Sequence, residues 1–246
     1  MAAVATQVIP RAAEQVDALT GVVWQGGLAR SSDSVSGLGP HPPADFGDPL
    51  DRLLRTDDAR AAAVIEETAT RMRCGYAALP FAVVPEGSLA ELRSAYESWA
   101  RAGLMRRGDA QNGGRVVAHD DPFARGMHAA FTELVSRVAR RPLVPSYAYT
   151  AFYDDDASIA PHRDRAQCEI TLAVCIGAES TNPTAPGSCL VLEHDGVEVL
   201  VPSRPGRAVC FAGSALRHGR SDVTPGARPA VVLLHYVSPA FTGERD

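Results

Sequence analysis

Apolar and polar positions follow two different periods in the two halves of the chain. Over residues 49–73 the apolar side chains recur mostly at steps of three and four, which predicts a helix. Ser88 and Glu91 have the spacing of a capping box, and Asp121 followed by Pro122 is a typical helix start. The N-terminal half is therefore predicted to be mainly helical.

From residue 146 onward the pattern changes to short strand-like runs separated by turn residues. In the run 169–177 apolar branched residues occupy every second position, which predicts one face on the helices and a smaller, partly polar face towards an interior. Asp195 and Gly196 stand between two runs and are typical of a tight hairpin turn. A run of seven or eight strands without helices predicts an antiparallel sandwich or jelly roll. An earlier run, 76–84, contains a proline and predicts an edge strand.

The chain is predicted to divide into an arm and one domain. The stretch 25–48 is rich in Gly, Pro and Ser and cannot bury enough apolar area to order its backbone, so we expect residues 1–48 to form a partly flexible N-terminal arm. Residues 49–246 are predicted to form a single catalytic domain. Its first part, 49–145, is mainly helical support, and 146–240 is the jelly-roll core, giving an α+β fold class that is mainly β.

Composition narrows the range of function classes. A formal charge of -5 argues against binding of a nucleic-acid backbone as the main task. All 24 basic residues are arginine, which excludes chemistry that depends on a lysine amine, such as Schiff-base catalysis. Five cysteines without a CxxC pair indicate neither a disulfide framework nor a thiolate zinc site, and they fit a cytoplasmic protein. No apolar run reaches the length of a membrane span, so we expect no membrane partner.

Candidate chemistry is concentrated in one tripeptide and one distant histidine. His162 and Asp164 are two positions apart and share one face of a strand, and His218 follows much later at the start of another strand-like run. Two imidazoles and one carboxylate form the facial triad of non-haem Fe(II) sites, which leaves coordination positions open for a cosubstrate and oxygen. We call these three residues the triad. Taken alone, the tripeptide also fits a surface His-Asp pair.

Arg228 follows His218 by ten positions, and this spacing after an H-x-D motif resembles the iron(II)/2-oxoglutarate-dependent dioxygenases, specifically their prolyl-hydroxylase-like branch. The resemblance covers about residues 74–237 and includes Tyr153, nine residues before the first histidine of the triad. One departure is visible, because Asp156 stands where the family often has the glycine of Tyr-x-x-Gly. Aspartate tolerates a left-handed backbone better than most residues, so the turn can survive.

The resemblance implies a double-stranded β-helix core with flanking N-terminal helices. It also implies Fe(II) at the triad, 2-oxoglutarate and O2 as cosubstrates, and ascorbate as an optional reductant. Arg228 is expected to fork the distal carboxylate of 2-oxoglutarate, Tyr153 to donate its hydroxyl to that carboxylate, and Thr171 to complete the cofactor-binding set. The implied reaction releases succinate and CO2 and hydroxylates an unactivated C–H bond. Hydroxylation is favoured over halogenation because halogenating members lack the carboxylate that Asp164 provides.

Four arginines flank the triad and favour either ion pairs or a cationic rim for an anionic substrate. Among them we expect Arg165, together with Glu169, to contact a zwitterionic substrate. The predicted substrate is a small amino-acid-like or natural-product molecule, not a nucleic acid, and the sequence predicts no oligomeric state. Two alternatives remain. The first is a non-catalytic, cupin-like jelly-roll binding module; the second is a metal-dependent isomerase or cosubstrate-independent cupin oxygenase, which would have no use for Arg228.

Overall fold

The structure is a computed structural model that describes residues 59–177 and 187–245. The predicted arm over 1–48 and the beginning of the helix predicted over 49–73 lie outside the described residues. Within the described residues, the chain forms three α-helices that precede or interrupt its first strands, and then eight successive strands.

The helices cover one side of the molecule. They are α1 (Ala59–Arg71), which continues into a short 3₁₀ helix (Met72–Cys74), α2 (Glu86–Arg101) and α3 (Pro122–Ala139). The predicted start of α3 is confirmed, since the Asp121 carboxylate accepts a hydrogen bond of 2.9 Å from the Ala124 N–H. The predicted capping box is wrong: α2 begins at Glu86, and Ser88 is buried inside its first turn. The residue that precedes α2 is Pro85, with φ of −65°. Its side chain has no polar atom, so it cannot cap the helix.

The strands form two antiparallel sheets. In chain order they are β1 (Tyr76–Ala78), β2 (Arg106–Arg107), β3 (Arg115–His119), β4 (Val144–Tyr153), β5 (Ile159–His162), β6 (Ile170–Gly177), β7 (Cys189–His194), β8 (Val197–Pro202), β9 (Ala208–Phe211), β10 (Arg217–Arg220) and β11 (Ala230–Val237). One sheet has seven strands in the order β1-β9-β6-β11-β4-β3-β2, and the other has four in the order β5-β10-β7-β8. This two-sheet arrangement, with helices to one side, confirms the predicted jelly-roll class.

Alternation along β6 shows how the layers are held together. Its residues Ile170 and Leu172 join the large cluster of buried side chains that includes the helices. Ala173, on the opposite face, packs with Leu190 and Leu192 of the four-stranded sheet. The seven-stranded sheet is therefore covered by helices on one face and by the second sheet on the other, as the sequence pattern predicts.

The predicted hairpin turn is confirmed, whereas both edges of the seven-stranded sheet differ from the prediction. Asp195 and Gly196 both have positive φ, 50° and 75°, as a type I′ hairpin between β7 and β8 requires. The predicted strand over 76–84 is an edge strand, but only its first three residues pair, with β9. Strands β2 and β3 were not predicted, and they extend the sheet beyond β4.

Candidate metal centre

The triad is assembled by the pairing of two short strands. His162, the last residue of β5, is the direct partner of His218 in β10, and Asp164 follows two residues after β5. Nε2 of His162 lies 3.4 Å from Oδ1 of Asp164, and Nε2 of His218 lies 3.5 Å from Oδ2. The three residues can each offer one ligand atom within 4.8 Å of the others. The fold therefore brings together the residues that the sequence grouped as a metal site.

Backbone carbonyls orient both imidazoles in the same way. Nδ1 of His162 lies 3.0 Å from the Ala160 oxygen, and Nδ1 of His218 lies 3.0 Å from the Leu216 oxygen. Because a carbonyl only accepts, each Nδ1 must carry the proton and donate it, which turns each Nε2 towards Asp164. A nitrogen lone pair and a carboxylate oxygen repel each other, so each pair needs a proton on Nε2 or a cation between the two atoms. This donor set fits a divalent metal ion.

The surroundings of Asp164 favour its ionised form. Burial acts to raise the pKa of Asp164, but hydrogen bonds from His162 and His218 outweigh it and hold that pKa well below its usual range. The same bond to Asp164 raises the pKa of His162. The carboxylate is therefore in its anionic form at neutral pH, as a metal ligand must be, and a metal ion would displace the protons on the imidazoles.

Gly213 holds the carboxylate in place through its backbone. Its carbonyl oxygen accepts a 3.0 Å hydrogen bond from the Asp164 N–H. A Cβ atom at position 213 would lie 2.7 Å from Oδ2 of Asp164 and 2.6 Å from Oγ1 of Thr171. Such distances are shorter than van der Waals contact, so no larger residue fits here without moving the carboxylate. The same contacts place Thr171 beside Asp164, on the inward face that was predicted for it.

His235 is a buried neighbour of the triad that the sequence did not assign to the site. Its Nδ1 lies 2.9 Å from Oγ1 of Thr171, and burial lowers its pKa to about 4. His235, Asp164 and Cys168 form a second group that could place three ligand-type atoms within 4.8 Å of one another. Inward alternation along β11 is the only signal in the sequence that points to His235.

Tyr153 lies between two buried arginines. Nη1 of Arg115 donates to the Tyr153 hydroxyl at 3.2 Å, and the guanidinium of Arg220 lies 4.7 Å from the centre of the Tyr153 ring. The turn after Tyr153 survives its departure from the family pattern, since Asp156 adopts a left-handed φ of 61°. The inward position of Tyr153 agrees with the sequence, whereas neither buried arginine was predicted to be its neighbour.

Arg228 lies apart from the other residues that were expected to bind 2-oxoglutarate. It lies in the connection between β10 and β11 and is exposed, and among the described residues no contact joins it to Tyr153 or to the triad. The neighbouring Pro229 is buried, and its carbonyl accepts a 3.0 Å hydrogen bond from the Tyr153 N–H. The chain thus turns Pro229, and not Arg228, towards the interior.

The two predicted substrate contacts have separate surroundings. Arg165 is exposed, and its guanidinium lies 5.1 Å from the centre of the Tyr147 ring. The Tyr147 hydroxyl lies 3.2 Å from Sγ of Cys168, which places Arg165 at the rim of the second group near Asp164. Glu169 instead forms a 2.7 Å ion pair with Arg141, beyond the end of α3. Glu169 is thus ion-paired with an arginine outside the four that flank the triad, while Arg165 lies beside the site.

The connection between β2 and β3 approaches the triad from the other side. Nε2 of Gln111 lies 3.1 Å from Nε2 of His162, and Oε1 of Gln111 accepts a 2.8 Å hydrogen bond from Arg115. Arg115 is also ion-paired with Asp109. The amide of Gln111 must move aside when a ligand binds at Nε2 of His162. Nothing in the local sequence marks this glutamine, because the contact joins segments far apart in the chain.

Comparison with solved structures shows where this architecture recurs. The non-haem alpha-ketoglutarate-dependent epimerase SnoN from nogalamycin biosynthesis superposes with a TM-score of 0.60 and 17% identity, over 72% of this chain and 83% of SnoN. A second SnoN structure, in complex with Fe3+, alpha-ketoglutarate and nogalamycin RO, gives a TM-score of 0.59 and 16% identity, over 72% of this chain and 84% of SnoN.

Two prolyl hydroxylases have the same architecture. A prolyl-4-hydroxylase from Pseudomonas putida has a TM-score of 0.57 and 18% identity, over 72% of this chain and 98% of that protein. A prolyl hydroxylase from Trichoplax adhaerens, in complex with a peptide fragment of hypoxia inducible factor, has a TM-score of 0.59 and 13% identity, over 71% of this chain and 89% of that protein.

The sequence itself gives no comparable match. No family model matches the chain. No curated protein matches it either. The structural likeness therefore shows the fold, and that fold is the one found in alpha-ketoglutarate-dependent non-haem iron enzymes, including prolyl hydroxylases.

None of the three α-helices in the described part has the length and apolar character needed to cross a bilayer.

Proposed function

We propose that this protein is an Fe(II)- and 2-oxoglutarate-dependent dioxygenase that hydroxylates an unactivated C–H bond of a small, amino-acid-like or natural-product substrate. One observation carries the proposal. Nε2 of His162, Nε2 of His218 and the carboxylate of Asp164 converge within 4.8 Å, in a fold that alpha-ketoglutarate-dependent enzymes share. Two nitrogens and one carboxylate leave coordination positions open, as a cosubstrate that chelates the metal requires.

The chain's own residues prepare the site for this chemistry. His162, Asp164 and His218 would hold Fe(II), which with 2-oxoglutarate and O2 supplies the oxidant and releases succinate and CO2. The carbonyls of Ala160 and Leu216 keep both imidazoles in the tautomer that presents Nε2. The His218 and Asp164 side chains are 8% and 16% exposed, whereas the His162 side chain is 28% exposed, so the site is accessible from the side of His162.

The outcome of the reaction is the finer part of the proposal. Asp164 is present and lies beside both imidazoles, so the position that halogenating members leave for chloride is filled by a carboxylate. This favours hydroxylation over halogenation. SnoN is an epimerase, so the shared fold also hosts an outcome other than hydroxylation.

The five free thiols support the proposed cytoplasmic location.

Metal and cosubstrate binding test the proposal directly. Anaerobic protein should bind one Fe(II) per chain and then 2-oxoglutarate. Once substrate and O2 are admitted, it should release succinate and CO2 while the substrate gains one oxygen by mass spectrometry. His162→Ala should lose both metal binding and succinate release. His194→Ala is a matched control, since that imidazole lies at the end of β7 beside Asp195. Full activity of His162→Ala contradicts the assignment. Metal binding without succinate release from any substrate panel favours the non-catalytic binding module.

We further propose that Arg165 contacts an anionic group of the substrate. It is exposed beside the site, and its interaction with Tyr147 raises its pKa, so its charge is permanent. Glu169 is unsuited to such a contact, because Arg141 already neutralises its carboxylate.

The Arg165 proposal has a kinetic test. Arg165→Ala should raise the KM for the substrate about 10-fold or more, the loss expected for one charged hydrogen bond, while succinate release without substrate persists. Arg163→Ala is the control, since Nε of Arg163 donates to the Ala215 carbonyl at 2.8 Å. An unchanged KM in Arg165→Ala refutes the contact.

A further inference from the structure

Arg220 is a buried cation that lacks an acidic partner among the described residues. It is 6% exposed, and its Nη1 donates hydrogen bonds to the hydroxyl oxygens of Ser188, at 3.2 Å, and Ser203, at 3.0 Å. Its third neighbour is the ring of Tyr153. Hydroxyls and a phenol ring stabilise a guanidinium but do not neutralise it. A buried charge of this kind is unfavourable until an anion completes the site.

Arg115 shows what a neutralised arginine looks like in the same region. It is 3% exposed and contacts Tyr153 as well, but it forms an ion pair with Asp109. Two buried cations therefore flank one tyrosine, and among the described residues an acid balances only one of them. The unbalanced one is Arg220.

The position of Arg220 relates it to the metal centre. It follows His218 by two residues in β10, so both side chains lie on the same face of the strand, and β7 pairs with both positions. Two residues along a strand span about 7 Å, a separation that a five-carbon dicarboxylate can bridge. A ligand that reached the triad at one end could place its second carboxylate near Arg220.

We infer that Arg220 and Tyr153, and not Arg228, bind the carboxylate of 2-oxoglutarate that is distant from the metal. The inference rests on the proposed function. Ser188 and Ser203 engage Nη1 only, which leaves the other N–H groups of the planar guanidinium for a two-point contact with the carboxylate. Arg228 is exposed, and no contact among the described residues joins it to Tyr153 or to the triad.

Binding measurements separate the two arginines without relying on turnover. The full chain is loaded with Mn(II) and titrated calorimetrically with 2-oxoglutarate and with 2-oxobutyrate, which lacks the distal carboxylate. Wild type should prefer 2-oxoglutarate by about 30-fold or more, the effect expected for a buried charged contact. Arg220→Gln should abolish this preference, Arg220→Lys should restore part of it, and Arg228→Gln should leave it unchanged. Mn(II) affinity should be the same in all of them.

A second variant covers the case in which Arg220→Gln does not fold. Tyr153→Phe keeps the ring under the guanidinium and removes only the hydroxyl, so it should lower the preference several-fold with an unchanged melting temperature. If Arg220→Gln or Tyr153→Phe keeps the wild-type preference, or if Arg228→Gln loses it, the inference is overturned while 2-oxo acid binding stands. If Mn(II)-loaded wild type binds neither 2-oxo acid, the proposed function fails and the inference falls with it.

Discussion

The two faces of the seven-stranded sheet are built from the same strands but have opposite characters. The outer face, under the helices, is a continuous apolar layer in which Leu172, Val174 and Leu234 are fully buried. The inner face carries Thr171 and His235 from the same two strands, together with the arginines near Tyr153. Alternation of side chains alone makes this division. Stability is therefore concentrated on one face and chemistry on the other, at positions one residue apart.

The largest effect on this division is expected from the outer face. Phe131 of α3 is fully buried against the sheet, and Phe131→Ala should lower the free energy of unfolding by about 3–5 kcal/mol through lost transfer and cavity formation. Chemical denaturation measures the loss. Mn(II) affinity of the folded fraction should be that of wild type. A variant that stays as stable as wild type, or that loses metal affinity while folded, would show that the two faces are not separable in this way.

The next test exchanges an apolar for a polar side chain on the outer face of β6 and a polar for an apolar one on its inner face. Val174→Thr places a hydroxyl in the apolar outer layer and should cost about 1–3 kcal/mol in unfolding free energy. Thr171→Val, on the inner face, removes the hydroxyl that bonds His235 and should cost about 1 kcal/mol in unfolding free energy. It should change the affinity for 2-oxoglutarate more than Val174→Thr does. Calorimetry and denaturation on the same samples give both quantities. The comparison fails if the two substitutions have the same profile.

Acid should weaken the fold through two buried histidines, one on each side of the sheet. Burial lowers the pKa of both His128 and His235 to about 4, whereas the unfolded chain titrates near 6.5. Between these values the unfolded chain binds protons that the folded chain does not, so stability is complete above about pH 6.5 and falls as pH decreases towards 4.

His128→Gln isolates one of these two groups. The amide can still donate to the His235 carbonyl, which Nε2 of His128 meets at 2.7 Å. The variant should reduce the stability lost between pH 7 and pH 5 by about 1–2 kcal/mol. Denaturation at the two pH values measures the difference, and an unchanged pH dependence would place the acid sensitivity elsewhere.

The sequence predicts the triad and the layer order because both depend on local rules. The short spacing of the H-x-D motif keeps two ligands together where β5 ends, although Asp164 lies beyond the strand that was predicted to carry both. The alternation in β6 fixes which side meets the helices. The position of Arg228 depends instead on the phase in which the chain enters β11, where the pairing with β6 shifts register between Ala230 and Val231. A shift of one residue exchanges inward and outward side chains, so spacing in the sequence does not determine the outcome.

Gln111 and Arg220 could not be predicted from the sequence for a different reason. Gln111 reaches His162 from the connection between β2 and β3, and neither of those strands has a recognisable pattern. Arg220 is two residues from His218 in sequence, but its burial, and the absence of an acidic partner for it among the described residues, follow from how the two sheets close on each other. Such features arise from tertiary packing and not from local propensity.

The close approach of Gly213 to Asp164 has a consequence for how a metal ion would be taken up. The main-chain hydrogen bond fixes the backbone of Asp164, and the absence of a Cβ at Gly213 leaves space for a carboxylate that both imidazoles hold, so much of its conformational entropy is already lost when the chain folds. Metal binding then needs little further ordering of this ligand, and affinity is gained by preorganisation. Loading the protein with a divalent ion should raise its melting temperature with almost no change in its near-ultraviolet circular dichroism. A Gly213→Ala variant should need the ion to order its carboxylate, and its spectrum should change on loading.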